Sequence, residues 1–335
     1  MKWWIFLFAG LFSLVLTGFM RNYAVSWDLL AVPERRSSHS TPVPLGGGPA
    51  IAAAFLTALL YLRFAGLLQN QVFWALAGAG SWSALIGWLD DHLEMDVWPR
   101  LAGHFAGAVW ALAFLGGLPP LEFLGHEMDL GFTGDLLAVI FLVWMINLYN
   151  FMDGIDGIAS IEAVAVYAGG AFLWTVYAGS GTGWMLPLAA ASAAGGFLFW
   201  NFPKARIFMG NSGSEFLGMV LGIFALQAAH SGSGLFWGWI ILSGAFIVDA
   251  TLTLMIRAWQ GKKVYLAHCN HAYQHAARKY GAHWPVSLAF GAITVFWLLP
   301  LAFLVVQGFV EGTAGVIVAW LPLAAAAVWF KAGRS

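Results

Sequence analysis

Charge is scarce in this 335-residue chain. Asp, Glu, Lys and Arg make up 9% of it, against roughly a quarter in an ordinary soluble domain. So few charges cannot cover the surface of a soluble protein of this length, so a soluble globular fold is excluded. Disorder, which goes with low hydrophobicity and high net charge, is excluded too. Cysteine is nearly absent: Cys269 is the only one, so no intrachain disulfide forms. The chain has no Walker loop, dinucleotide fingerprint, zinc-ligand spacing or serine nucleophile elbow. It has no basic stripe either, so nucleic acid is not an expected partner. No internal repeat, low-complexity tail or linker divides the chain, which reads as one domain over 1–335.

What is present is apolar. Hydrophobic residues reach 61%, with 19 Trp and 27 Phe, and the mean hydropathy is +0.78. The expected fold class is an all-α, polytopic integral membrane protein with about 11 transmembrane helices. Its apolar runs lie at roughly 2–20, 47–66, 71–89, 101–118, 135–150, 158–178, 183–200, 214–230, 235–257, 285–307 and 313–331. The first run has one Lys and no Ala-x-Ala pattern after it, and reads as a retained span rather than a signal peptide. Small-residue stretches such as AGGAFLW and AAASAAGGF let helix backbones approach in lipid.

Net charge, −1, says little, but the positions of the basic residues orient the chain. With the 21–46 connection inside, Arg21, Arg35, Arg36, Arg100, Lys204, Arg206, Arg257, Lys262, Lys263, Arg278, Lys279, Lys331 and Arg334 all fall inside. Only Lys2 and Arg63 fall outside. This predicts an outside N-terminus and a cytoplasmic C-terminus. The same five inside loops hold nearly all the chemistry: RRSSHSTPVPLGGG, WLDDHLEMDVWPR, NLYNFMDGIDG, NFPKARIFMGNSGSEF and GKKVYLAHCNHAYQHAARKYGAH.

Asp90 and Asp91 end the third run. Adjacent carboxylates repel unless a cation such as Mg²⁺ or a shared proton relieves them. The plain alternative is a solvated helix end with Arg100 as partner. Asn147, Asn150, Asp153 and Asp156 recur every three residues. As a continuation of the fifth helix they share a face, an oxygen array suited to Mg²⁺ or a nucleotide. Capping explains one of the four. GNSGS, with Asn211 and Ser212, offers backbone N–H groups to phosphate or acts as a simple N-cap. Asn201 and Phe208 together suit a nucleobase, although Phe208 alone reads equally as an interface aromatic. If helical, His268 shares a face with His271, and His271 with His275. Beside Arg278 and Lys279 they suit phosphate, or else they form a basic segment that attracts anionic lipid. Arg35, Arg36, His39 and a triple Gly either close over a phosphate or anchor the loop. Asp249 is the one acid read as clearly inside a span, a functional candidate or half of a buried pair.

Taken together, RSSHSTPVPLGGG, LDDH, NLYNFMDGIDG, NFPKARIFMGNSGS and HCNHAYQ resemble the polyprenyl-phosphate N-acetylhexosamine-1-phosphate transferase superfamily, glycosyltransferase family 4. The HxxHxYQ form is most similar to the O-antigen-initiating branch. The resemblance covers nearly the whole chain. It implies transfer of a sugar 1-phosphate from a UDP-N-acetylhexosamine (GlcNAc, QuiNAc or FucNAc type) to undecaprenyl phosphate, releasing UMP. The implied cofactor is Mg²⁺, with Mn²⁺ as a substitute. The implied place is the cytoplasmic face of a bacterial inner membrane, with membrane lipids and a second copy of the chain as partners. Asp90 is similar to the carboxylate that deprotonates or positions the lipid phosphate, with Asp91 beside it near the metal. Asn150, Asp153 and Asp156 match the nucleotide and metal array, and Asn147 stands at its head. Asn201 and Phe208 match the uridine contacts, with Phe208 stacked on uracil. His268 and His271 match the phosphate-binding histidines, and Gln274 completes that motif. Arg36, His39 and Ser212 are the remaining substrate candidates.

One position departs from the pattern. Where the family carries the Mg²⁺-ligating Asp of Gly-Asp-x-Gly-Ser, this chain has Asn211, which keeps a carbonyl ligand and loses the charge. Weaker metal binding is expected, and a catalytically impaired binder of lipid phosphate is one alternative reading. The other is an ion-coupled transporter, which requires ionisable groups near the midplane and broken helices there.

Overall fold

The computed structural model describes residues 3–33, 41–93, 95–179, 181–266 and 268–334. Helices occupy all eleven apolar stretches: α1 (Trp4–Ser26), α2 (Gly48–Phe64), α3 (Asn70–Leu93), α4 (Val97–Leu115), α5 (Gly131–Met152), α6 (Ile158–Ala178), α7 (Met185–Asn201), α8 (Asn211–Ala229), α9 (Ser233–Leu242) with α10 (Gly244–Trp259), and, after the short polar α11 (Ala272–Tyr280), α12 (Trp284–Val306) and α13 (Gly312–Trp329). Two small antiparallel pairs complete the described elements, β1 (Leu30–Ala31) with β2 (Val43–Pro44), and β3 (Leu121–Phe123) with β4 (His126–Met128). The chain is an all-α polytopic membrane protein. By length and composition, seven helices among the described residues are able to cross a membrane, and the α9–α10 pair makes an eighth.

That pair departs from the sequence expectation of one continuous helix over 235–257. The chain bends by 67° between α9 and α10. Ser243 Oγ donates back to the Trp239 carbonyl at 2.9 Å, a pattern that bends helices. At Gly244 a side chain would run into the Trp320 indole, so Gly is required for the two helices to turn there.

The hub of the bundle is α8. Its apolar stretch is 94% buried, whereas those of α1, α12 and α13 are 17–28% buried and present most of their surface outward. Lipid gives little hydrophobic reward for helix contact, so packing depends on close backbone approach. Gly87 of α3 makes such an approach: a Cβ there would stand 2.5 Å from the Asn211 backbone. The segment before α2 is tied to the one before α8. Phe208 N donates to the Pro44 carbonyl (2.8 Å), and Gly47 N donates to the Phe208 carbonyl (2.9 Å). Up-and-down topology gathers the C-termini of α3, α5, α7 and α10 and the N-termini of α4, α6, α8 and α12 at one end.

More ionisable side chains lie inside helices than the sequence reading found. Besides Asp249, the structure buries His104, Glu162 and Glu215 to 1% exposure or less. A lone ionisable residue in a long apolar run barely lowers its hydropathy, so these three escaped notice.

Candidate active site

The acids of α3 organise the first turn of α8. Asp91 accepts the backbone N–H of Asn211 (2.9 Å) on one oxygen and that of Ser212 (3.2 Å) on the other. This is the capping bond that four orphan N–H groups at a helix start require, made by a carboxylate on a neighbouring helix. Asp90 stands behind it, buried. Its Oδ2 receives the Arg100 guanidinium (2.6 Å) and the Asn211 amide (2.7 Å). The Asn211 carbonyl in turn accepts from Asn150 Nδ2 at 2.6 Å. Asn211 is thus a bridge, a donor to one acid and an acceptor from an amide, which no carboxylate reproduces.

In front of this bridge lies a cavity of about 340 Å³. Its walls include Asp91, Asn150, Asp153, Asp156, Asn201, Phe208, Asn211 and Gln274, eight of the sequence candidates, with Leu45, Ser214 and His283. Asp156 pairs with His283 Nδ1 at 3.2 Å. Asn201 ties the walls together: its carbonyl accepts the Gly157 N–H (2.9 Å) and its amide donates to the Ile207 carbonyl (3.0 Å). Asp153 is different. Among the described residues its carboxylate makes no hydrogen bond or ion pair. Burial, with the Asp91 and Asp156 charges adding to it, pushes its pKa from 3.8 up to about 7.

This is the test of whether a hard cation suits the place. Apart from the His283 imidazole, the ligand groups are carboxylate, amide and hydroxyl oxygens, and the half-buried Asp153 carboxylate has like-charged neighbours and, among the described residues, no ion-pair partner. The residues present fit Mg²⁺ in donor chemistry, with Asp153 as the carboxylate of greatest remaining capacity. Among the described residues no three His, Cys, Asp or Glu side chains already converge as a ligand cluster.

A second cavity, about 240 Å³, adjoins the first through Asn150, Gly154 and Gln274. Arg100, His268, His271 and Tyr273 line it. The expectation that His268, His271 and His275 share a helical face is corrected here. The helix begins only at Ala272, and His271 is its N-cap, closing a capping box with Gln274. Asp249 explains why. One oxygen accepts the Ala272 N–H and the other the Tyr273 N–H, each at 2.9 Å. The in-span acid is therefore the anchor of α11, and it also stands 3.4 Å from His271 Nδ1. His268 and His271 still meet, with stacked rings 4.9 Å apart. Burial, then the neighbouring His271, Arg257 and Lys262, lower the His268 pKa to about 4, so it is neutral at pH 7. His275 turns to the Arg334 carbonyl (3.1 Å), Arg278 to the Cys269 carbonyl (3.0 Å), and Lys279 lies over the Tyr280 and Phe330 rings. None of these three lines either cavity.

Two further candidates stand apart. Asn147 faces His104 rather than a cavity, and the Ser212 hydroxyl is buried without a partner among the described residues. Arg36 and His39 lie outside the described residues. The sequence reading named Ser214 only as the end of the GNSGS turn and His283 only beside the phosphate-binding histidine segment, not with the acids of this cavity, and it took Arg100 only as a partner for Asp90. A basic residue at a helix start, ten positions after an acid, was the available signal for the last.

Comparison with known proteins follows this geometry. The model of glycosyl transferase family 4 matches residues 73–229, from α3 to the end of α8. A decaprenyl-phosphate N-acetylglucosaminephosphotransferase of Mycolicibacterium smegmatis is 27% identical, over 94% of this chain and 87% of its own length. A probable undecaprenyl-phosphate N-acetylglucosaminyl 1-phosphate transferase of Bacillus subtilis is 26% identical, over 75% of this chain and 70% of its own. A phospho-N-acetylmuramoyl-pentapeptide-transferase of Gluconacetobacter diazotrophicus is 28% identical, over 70% of this chain and 72% of its own.

Proposed function

We propose that this chain, whose residues 73–229 match the model of glycosyl transferase family 4 and which is similar over most of its length to polyprenyl-phosphate sugar-phosphate transferases, moves an N-acetylhexosamine 1-phosphate from a UDP-sugar to undecaprenyl phosphate. An oxygen of the lipid phosphate attacks the sugar-bearing phosphorus. The bond from that phosphorus to the bridging oxygen breaks, and UMP leaves. The reaction opens the synthesis of an O-antigen or another cell-surface polysaccharide, on the cytoplasmic face of a bacterial inner membrane.

The observation that carries this reading is the pair of adjoining cavities. One is lined by carboxylates, Asp91, Asp153 and Asp156, and the other by Arg100 and two histidines. Phosphoryl transfer between two anions asks for positioning and charge neutralisation more than for covalent chemistry. Phe208, at the rim held by Pro44 and Gly47, offers its ring to uracil. Asp153, Asp156 and Asp91 would hold Mg²⁺, whose charge neutralises the diphosphate. Arg100, His268 and His271 meet the acceptor phosphate in the second cavity. Asp90, behind Asp91, acts through Arg100 and Asn211 by fixing where they point. Two relatives named above carry N-acetylglucosamine in their names, which favours that sugar over QuiNAc or FucNAc.

An ion-coupled transporter is not favoured. The α9–α10 bend supplies a broken span of the kind that reading requires, but Asp249, the in-span acid beside it, has both oxygens engaged in capping α11 and is not free to couple an ion. The test is direct: purified protein, radiolabelled UDP-GlcNAc, UDP-QuiNAc or UDP-FucNAc, undecaprenyl phosphate and Mg²⁺. Lipid-linked product from one donor is expected. No product from any donor, with protein that is folded and lipid-reconstituted, removes the reading.

A further inference from the structure

One helical turn deeper than the acids lies a second polar layer that lines neither cavity. His104 of α4 and Glu215 of α8 are each about 1% exposed, with Nε2 and Oε2 3.1 Å apart. The two atoms approach without the alignment of a full hydrogen bond. On the other side of the imidazole, Asn147 of α5 donates one amide hydrogen to the Val143 carbonyl (2.8 Å), and its nitrogen stands 3.3 Å from His104 Nδ1. An amide nitrogen only donates, so Nδ1 is the acceptor and the ring proton sits on Nε2, facing Glu215.

Each of these residues stands one turn from a residue of the outer layer. His104 follows Arg100 by four, Glu215 follows Asn211 by four, and Asn147 precedes Asn150 by three, spacings that share a helix face. The outer three already converge: Arg100 and Asn211 on the same Asp90 oxygen, and Asn150 on Asn211. Three helices are therefore pinned together twice, at the cavity and one turn behind it. Position 211, moreover, carries an amide, and the acid of α8 lies one turn further in.

We propose that Asn147, His104 and Glu215 form a positioning layer. It fixes the rotation of α5, α4 and α8 about their axes, and so sets where Asn150, Arg100 and Asn211 present their polar ends to the cavities. Replacing a buried polar pair by apolar residues of similar volume is often neutral or stabilising, so stability alone does not explain why this pair is kept. The inference rests on the transferase reading, because what it positions is the proposed site.

The test compares the wild-type chain with Glu215→Gln, His104→Gln, the double variant and the apolar pair His104→Leu/Glu215→Leu, all in lipid nanodiscs with UDP-GlcNAc. Glu162→Gln, a buried acid of α6 outside the layer, is the control. Misplacement of reacting groups by about 1 Å costs on the order of 100-fold in rate. Each single variant is expected to lose about 10- to 100-fold in kcat, with KM for the donor within about threefold. The double variant is expected to match the singles, because the residues act as a unit. The apolar pair keeps its melting temperature and stays slow. An active wild type with Glu215→Gln within twofold of its kcat overturns this inference alone, as does a kcat loss that tracks loss of folded protein or is shared by Glu162→Gln. A wild type that makes no product overturns the transferase reading and this inference with it.

Discussion

Replacing Asn211 by Asp changes one atom type at the centre of the site. In the wild type the Asn211 amide donates to Asp90 Oδ2 at 2.7 Å and its carbonyl accepts from Asn150 at 2.6 Å. An aspartate keeps the second contact and turns the first into carboxylate against carboxylate. Two unit charges 4 Å apart repel by about 4 kcal/mol at an effective dielectric of 20. Arg100, 2.6 Å from the same Asp90 oxygen, and rotation of the new side chain cancel part of that. A net loss of about 1–3 kcal/mol remains, typical of a lost buried donor. Without divalent cation the variant is therefore expected to melt a few degrees below the wild type. With Mg²⁺ the order reverses, because a cation now meets one more carboxylate, and half-saturation is expected at roughly tenfold lower Mg²⁺. Intrinsic tryptophan fluorescence on heating, at a series of Mg²⁺ concentrations, reads both effects. Equal melting temperatures without metal, combined with an unchanged Mg²⁺ response, refute the account of Asn211 as a neutral bridge beside a cation site.

Other perturbations separate the parts of the site. Asp153 holds its proton up to about pH 7 in the fold, against 3.8 for the ordinary group. Its contribution to metal-free stability is thus full below about pH 4 and lost as pH rises toward 7. Asp153→Asn is expected to flatten that slope and to abolish the stabilising effect of Mg²⁺, and an unchanged pH–stability curve contradicts the burial argument. Phe208→Ala is expected to raise the donor KM by roughly 10- to 100-fold, since stacking on a base is worth about 1–3 kcal/mol; steady-state kinetics with varied UDP-sugar checks this. Asp249→Ala removes the carboxylate cap of α11, at about 1–2 kcal/mol, and releases His271. Hydrogen exchange should rise at Ala272 and Tyr273, and undisturbed exchange there counts against the capping role.

Much of the fold was legible because lipid imposes length and apolarity on every span, and helices fill all the apolar runs. The α9–α10 bend was not legible. It depends on Ser243 turning back on Trp239 and on Gly244 meeting Trp320, a residue 76 positions away, and hydropathy carries neither contact. The candidate site shows the same division. The acids and amides of the loops could be read as a cluster because the rest of the chain is so poor in charge, and seven of them line one cavity with Phe208. Their partners could not be read. His283 comes from a segment 127 residues beyond Asp156, and His104 and Glu215 hide in apolar helices. The histidine segment misled for a local reason: helical spacing suggested one face, whereas Asp249 starts the helix only after His271 and leaves His268 outside it.

The central claim is that the two adjoining cavities bring a diphosphate donor and a lipid phosphate together for direct transfer. Donor labelled on the sugar-linked phosphorus tests it most directly, by following label and UMP together with the purified wild-type chain. The account predicts label in the lipid fraction and UMP in equal amounts, both dependent on undecaprenyl phosphate. UMP released without lipid label, or label transfer undiminished in Asp153→Asn, contradicts it.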